Sequence, residues 1–170
     1  LQKAIAEVKS QKLGLSPYNV LLDNFAPGLT RESIDKVFSK LLPEMIPLRK
    51  QIIAHQEKQM IPGKNFPLLQ EEQKNLFREL LTKLYFDFEH GRFDECSYAY
   101  CDGIATDIRI TMNCNKDNFL DGLFGLLHEA GHAVYEQSMP KERCFQLVGQ
   151  PQCKLIHECL AFFYERNIGL

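Results

Sequence analysis

The segment that most constrains this chain is His128-Glu129-Ala130-Gly131-His132, which lies within an apolar helical pattern. On an α-helix, residues four positions apart share one face with Cβ atoms about 6 Å apart, so two imidazoles can reach one metal ion. A carboxylate beside the first histidine can accept a proton from a water molecule on that metal. The segment therefore predicts a metal site with His128 and His132 as ligands and Glu129 as the general base.

The residues around this motif predict a helix of about twenty residues, because apolar side chains recur at intervals of three and four. Asn115 or Asp117 is the predicted N-cap, and Pro140 follows the predicted end. The apolar face consists of Leu120, Leu123, Phe124, Leu127, Gly131 and Val134. A helix that buries this face would be a rigid platform for metal ligands.

A third ligand is needed, because a catalytic zinc ion keeps three protein ligands and one open position. The third histidine of some zinc peptidases is absent, since Ser138 occupies its position. Glu158 instead lies on a second predicted helix that begins near Pro151, and two histidines with one glutamate form a known zinc ligand set. We therefore predict Glu158 as the third ligand. The predicted apolar face of this helix consists of Leu155, Cys159, Phe162 and Phe163.

An ordered set of short motifs runs along most of the 170 residues, and it resembles the Taq-type metallocarboxypeptidases. The main motifs are Asp107-Ile108-Arg109-Ile110-Thr111, the segment 127–137 and His157-Glu158. Shorter matches lie upstream at 16–18, 21–23, 27–30 and 47–48.

The resemblance implies a mainly α fold, a multi-helix metallopeptidase scaffold with a short β-strand or hairpin at the active-site cleft. It also implies an enzyme that removes residues from peptide C-termini. By position, His128, His132 and Glu158 would bind Zn²⁺, which Co²⁺ can replace, and Glu129 would be the catalytic base. Peptides are the implied substrates, and the full-length protein is expected to form a homodimer.

The departures from the family pattern lie next to the ligands rather than at them. Tyr98-Ala99-Tyr100 replaces His-Pro-Phe, Met112-Asn113-Cys114 replaces Thr-Arg-Tyr, and the residues that follow Glu158 have lost polar groups. These changes bear on substrate preference and rate more than on metal binding.

The chain is expected to be one partial domain over 1–170, the middle portion of a longer helical metallopeptidase and inactive by itself. We expect a helical scaffold over 1–95 and the zinc-site region over 96–170. Predicted scaffold helices cover 1–13, begin at Ser16-Pro17, begin after Thr30 with a kink or break at Pro43 and Pro47, and cover 67–84. The last of these has Leu69, Leu76, Leu80 and Leu84 on its inner side, and Pro62-Gly63 is a predicted turn.

Residues 106–111 alternate between polar and apolar, which predicts a strand. Such a strand beside a metal helix can offer its edge to an extended peptide. Arg109 then either pairs with Asp107 and braces the site or contacts the substrate, and Tyr98 is a second candidate substrate contact. His55 and His90 lie at no ligand spacing, and we interpret both as surface or cap residues.

Composition excludes several classes of protein. Apolar residues make up 45% and the net charge is −2, which argues against disorder and against electrostatic binding of nucleic acid. No apolar run is long enough to span a membrane. The six cysteines lack the spacing of a metal or disulfide framework, so we expect reduced thiols and a cytoplasmic protein.

Three functional hypotheses remain open at this stage. The first is the zinc metallocarboxypeptidase, and the second is a catalytically impaired or inactive binding protein on the same scaffold. The third is a helical interaction module without a metal. Metal analysis distinguishes the third hypothesis from the others, and turnover distinguishes the first from the second.

Overall fold

Local capping residues define the helices of the first part of the chain. Helix α1 (Gln2–Leu13) ends at Gly14, whose φ of 66° is the left-handed conformation that favours glycine. Helix α2 (Pro17–Asp23) follows Ser16, whose Oγ accepts a hydrogen bond from the Asn19 amide. Helix α3 (Arg31–Gln59) follows Thr30, whose Oγ1 accepts a hydrogen bond from the Ser33 amide at 3.2 Å. The three predicted helix starts are confirmed.

The predicted break at Pro43 and Pro47 is wrong, because α3 continues through both prolines, and the alternative of a kink stays a prediction. Each proline deprives a carbonyl one turn earlier of its hydrogen bond. Those carbonyls belong to Ser39 and Pro43, which are exposed, so water can replace the missing donors. The helix therefore tolerates both prolines.

The computed structural model describes residues 1–59 and 67–169, so the predicted Pro62-Gly63 turn lies outside the described residues. The chain divides into two units, Leu1–Lys64 and Asn65–Leu170. The division predicted at residue 95 stays a prediction. None of the described helices is long and apolar enough to cross a membrane. The six cysteines are free thiols.

The second unit places three helices and a small sheet around one core. Its helices are α4 (Gln70–Lys83), α5 (Phe119–Gln137) and α6 (Lys154–Ile168), with short 3-10 turns at Lys141–Arg143 and Leu147–Gly149. Its strands are β1 (Gly91–Glu95), β2 (Tyr100–Ile104) and β3 (Asp107–Met112). A mainly helical chain with one small sheet confirms the predicted fold class.

Strand β3 is the middle strand of the sheet, parallel to β1 and antiparallel to β2. Ile108 and Ile110 point into the core, whereas Asp107 and Arg109 are exposed, which confirms the predicted alternation. The predicted free edge of this strand is wrong, because both edges of β3 are hydrogen-bonded. Within the described residues, β1 and β2 each pair only with β3, so the sheet has two open edges, one on β1 and one on β2.

Helix α4 contacts the core mainly through residues adjacent to the predicted ones, and the predicted side is confirmed in part. Gln73, Phe77 and Leu81 are buried, whereas Leu69 is 70% exposed. The predicted Leu80 and Leu84 only border the core, and Leu76 is half-buried. The Phe77 ring fixes this face, because it stacks on Phe119 and meets the edge of Phe93. Gln73 Nε2 also donates hydrogen bonds to the Leu68 and Asn115 carbonyls.

Helix α5 begins after Asn118 rather than at the predicted Asn115 or Asp117. Asn115 Oδ1 instead accepts a hydrogen bond from the Asp117 amide, so these two residues form a turn before the helix. Helix α6 begins at Lys154, three residues after the predicted Pro151.

The apolar face predicted for α6 is wrong, because Leu155, Cys159, Phe162 and Phe163 are exposed and the buried residues are His157 and Ala161.

Candidate metal centre

Three predicted metal ligands converge where α6 packs against α5. His132 follows His128 by one helical turn, and α6 supplies Glu158. His128 Nε2 lies 3.6 Å from Glu158 Oε2, and His132 Nε2 lies 3.7 Å from Glu158 Oε1. One donor atom from each of the three side chains lies within 4.8 Å of the other two. Ligands on one tetrahedral zinc ion are about 3.4 Å apart, so the observed cluster fits a single ion after a small contraction.

A close contact between helix backbones brings Glu158 to the histidines. A Cβ atom added at Gly131 would lie 2.7 Å from both Ala161 Cα and the Leu160 carbonyl oxygen. Only glycine at position 131 permits this approach, and only a small residue such as Ala161 fits beneath it. The close contact also explains the wrong prediction for α6, because the larger apolar residues of that helix have no room at the crossing.

The outward nitrogen of His128 contacts a carboxylate that the sequence analysis missed. His128 Nδ1 lies 3.0 Å from Glu165 Oε2, and the Glu165 side chain is 15% exposed. A carboxylate in this position fixes the tautomer and the ring orientation of a metal-binding histidine, leaving Nε2 free for the metal. The Phe162 ring meets the His128 ring edge-on, with centroids 5.3 Å apart.

His132 is held neutral by its surroundings. Burial, followed by the nearby His157 and His128, lowers the pKa of His132 to about 4, while the His157 backbone has a smaller opposing effect. A neutral imidazole keeps the lone pair that a metal ion needs. His132 Nδ1 is buried and has no hydrogen-bond partner within the described residues.

Glu129 lies beside the cluster in the environment that a general base requires. Burial raises the pKa of Glu129, Glu158 raises it further, and His128 opposes the shift. A raised pKa increases the proton affinity of the carboxylate and moves it towards neutral pH. Glu129 and the three clustered side chains line one cavity of about 360 Å³. The other lining residues are Tyr100, Cys101, Asp102, Glu136, Lys154 and His157.

The two predicted substrate contacts lie outside this cavity lining. Arg109 forms a two-pronged ion pair with Asp107, with Nη2–Oδ2 at 2.9 Å and Nε–Oδ1 at 3.1 Å, and the pair lowers the pKa of Asp107. Arg109 lines a separate, open cavity of about 530 Å³, and Tyr100 and Asp102 line both cavities. Tyr98 is exposed, and its ring centroid lies 6.3 Å from that of Tyr100. This geometry favours bracing by Arg109, and substrate contact by either residue stays a prediction.

The remaining histidines have different partners. His55 is exposed and lies 2.8 Å from Gln59 Nε2. His90 Nδ1 lies 2.7 Å from Asp87 Oδ2 and 3.0 Å from Lys141 Nζ. His157 Nε2 lies 2.8 Å from Glu136 Oε1.

Comparisons with known proteins agree with this geometry. The sequence pattern of the Carboxypeptidase Taq (M32) metallopeptidases matches residues 1–170. The chain belongs to this family.

Carboxypeptidase 1 of Bacillus subtilis is 36% identical over 156 residues, which are 90% of this chain and 31% of that protein. Thermostable carboxypeptidase 1 of Thermus thermophilus is 31% identical over 89% of this chain and 30% of its own length. Trypanosoma cruzi metallocarboxypeptidase 1 superimposes with a TM-score of 0.90 and 29% identity, covering 99% of this chain and 35% of that one. The chain therefore spans about a third of the length of these M32 relatives.

Proposed function

We propose that the protein is a zinc-dependent carboxypeptidase that hydrolyses the last peptide bond of its substrates. The observation that carries this proposal is the convergence of His128, His132 and Glu158 beside Glu129, in a chain that belongs to the M32 metallopeptidases. The named relatives in Bacillus and Thermus are carboxypeptidases, which supports the same reaction here.

The donor set favours zinc as the metal. Two imidazole nitrogens and one carboxylate oxygen form a common catalytic zinc ligand set, and Co²⁺ accepts the same ligands. A zinc ion held there would lower the pKa of a water ligand to about 7 and polarise a substrate carbonyl. The structure supports the fit through the neutral His132 and through the Glu165 carboxylate behind His128.

Glu129 is the proposed proton carrier. Its carboxylate accepts a proton from the attacking water and returns that proton to the amine of the departing residue. The raised pKa of Glu129, which burial causes first of all, suits both steps because it increases the proton affinity of the carboxylate.

The open edge of β2 is the proposed binding site for the backbone of the substrate peptide. This strand contributes Tyr100, Cys101 and Asp102 to the lining of the cavity that contains the candidate metal ligands. A peptide paired with the edge of β2 would therefore pass close to those ligands. Pairing through backbone groups binds many sequences, as a carboxypeptidase of broad range requires. The edge predicted from the sequence is that of β3, and the sheet order moves the proposal by one strand.

The decisive experiment compares the parent protein with Glu129→Gln, in the whole protein that contains this chain. Glutamine keeps the size of the side chain but cannot carry the proton, so we expect zinc to remain bound and turnover to fall by about 10²–10⁴-fold. The assay measures release of the last residue from peptides with free and with amidated C-termini. Glu142→Gln, which changes an exposed glutamate outside the cavity, is the matched control.

Three results would contradict parts of the proposal. Near-normal turnover in Glu129→Gln, with zinc content confirmed, would exclude Glu129 as the base. Zinc binding without turnover in the parent protein would favour the alternative of an inactive binding protein on the same scaffold. Equal cleavage of free and amidated peptides would exclude recognition of the C-terminus.

A further inference from the structure

His157 and Glu136 form a largely buried pair that lines the same cavity as His128, His132 and Glu158. His157 Nε2 lies 2.8 Å from Glu136 Oε1, and the two side chains are 8% and 14% exposed. Glu136 follows His132 by one turn on α5, and His157 immediately precedes Glu158 on α6. The pair therefore joins the two helices that supply the clustered residues, at the level of the cluster itself.

The His157 ring lies flat against the ring of His132. Their centroids are 4.1 Å apart and their planes differ by 16°. The His157 ring also lies near the Tyr135 ring, and their centroids are 5.9 Å apart. The stacked contact leaves His132 little freedom to rotate about the bond between Cβ and the ring.

The two histidines of the cluster differ in what fixes their rings. His128 Nδ1 contacts the Glu165 carboxylate, whereas His132 Nδ1 has no hydrogen-bond partner within the described residues. A histidine binds a metal well only if its ring plane directs the nitrogen lone pair at the ion, and partners outside the ligand set provide that orientation. At His132 the neighbouring residue is His157, which offers the flat face of its ring and, more weakly, a backbone group.

We infer that Glu136 and His157 are positioning residues for His132, with Glu136 fixing the His157 ring and His157 fixing the plane of His132. The Glu136 carboxylate accepts the hydrogen bond from His157 Nε2–H and prevents the ring from turning. This inference rests on the proposed function, because it requires His132 to bind the metal. Neither residue touches the substrate in this assignment.

The test measures metal binding and metal geometry rather than turnover, in the whole protein. Glu136→Ala removes the acceptor, whereas Glu136→Gln keeps an amide oxygen at the same position. We expect Glu136→Ala to weaken Zn²⁺ binding by about 10–100-fold and to change the visible absorption spectrum of the Co²⁺ form. Glu136→Gln should restore both properties to near those of the parent. His157→Phe keeps a flat ring without the anchoring hydrogen bond and should change the Co²⁺ spectrum in the same direction as Glu136→Ala.

Gln137→Ala is the matched control on the next residue of α5. Gln137 donates hydrogen bonds to the Asp87 and His90 carbonyls and does not contact His157, so its loss should lower stability and leave the Co²⁺ spectrum unchanged. If Glu136→Ala behaves like Gln137→Ala, or Glu136→Gln fails to rescue, the inference is overturned and the pair is a structural brace. If the parent protein binds no metal, or His132→Ala leaves binding unchanged, the proposed metal site fails and the inference fails with it.

Discussion

Helices α5 and α6 both supply residues to the metal cluster, but different interactions hold them in place. Helix α5 buries seven residues, among them Leu126, Ala130 and His132. Helix α6 buries His157 and Ala161 among its described residues. It is held by the close contact at Gly131, by polar pairs to α5 and by Tyr164, which packs against the core. The two histidines thus lie on a helix that packs into the core. Glu158 lies on a helix that is held largely by contacts with residues of the site itself.

The largest expected effect is at the crossing of the two helices. Gly131→Ala places a Cβ atom 2.7 Å from the α6 backbone, which has no flexible side chain to move away. We expect α6 to be displaced, Zn²⁺ binding to weaken by more than about 100-fold, and stability to fall by about 1–3 kcal/mol as in other overpacked sites. Metal titration and urea unfolding of the same samples measure both.

Gly125→Ala is the control on the same helix. A Cβ there would meet the flexible Met112 side chain at 3.3 Å, and alanine favours a helix over glycine by about 1 kcal/mol. Its stability should therefore match or exceed that of the parent, with unchanged metal affinity. Equal behaviour of the two variants would show that the backbone contact at Gly131 does not set the position of α6.

The second-largest expected effect tests how much a polar contact of α6 contributes to zinc binding. Glu165→Ala removes the carboxylate at His128 Nδ1 and should weaken Zn²⁺ binding by about 10–100-fold. Glu165→Gln keeps an acceptor for the Nδ1–H and should lose much less. Asn167→Ala, two residues further along α6 and exposed, should bind zinc as the parent does. A stability loss in Glu165→Ala with normal zinc affinity would assign Glu165 to helix docking alone.

The spacing of the clustered residues could be predicted because helix geometry alone determines it. Residues four apart on a helix share a face, so His128 and His132 had to be neighbours wherever α5 packed. The starts of α2 and α3 are equally local, since Ser16 and Thr30 accept hydrogen bonds from backbone amides within the next turn. The same geometry could have indicated Glu136, one turn after His132, and Glu165, two turns after Glu158.

The faces of α4 and α6 and the edge of the sheet could not be predicted, because each depends on a partner distant in sequence. Gln73 is buried because its amide reaches the Asn115 carbonyl, a contact that no hydrophobic pattern contains. Phe162 and Phe163 were assigned to a core face, but the contact between Gly131 and Ala161 leaves room only for a small side chain. The strand order likewise depends on the parallel pairing of β1 with β3, which are not consecutive in the sequence.

The third-largest expected effect tests the burial of His132 on α5 through the pH dependence of stability. The unfolded chain protonates His132 near its ordinary pKa of 6.5, whereas the folded chain does so only near its lowered pKa of about 4. Between these values the unfolded state binds more protons, so the stability of the metal-free protein should fall as the pH falls from 6.5 to 4. The slope due to His132 should be below ~1.4 kcal/mol per pH unit, because the difference in bound protons between the two states is less than one throughout this interval.

Urea unfolding at a series of pH values, with chelator present, measures this slope. His132→Gln cannot titrate and should show a flatter pH dependence over the same interval. Parallel curves for the parent and His132→Gln would show that the folded protein does not keep this ring neutral.

The smallest expected effect concerns the apolar face of α6. Phe163 is 56% exposed, so Phe163→Ser removes little buried surface and should change stability by no more than about 0.5 kcal/mol. Leu126→Ala on α5, where the side chain is fully buried, should cost about 2–5 kcal/mol and provides the scale for comparison. Both values come from urea unfolding of this chain. A loss near 2 kcal/mol in Phe163→Ser would mean that the Phe163 side chain itself has an apolar partner, and the contrast between the two helices would then be smaller.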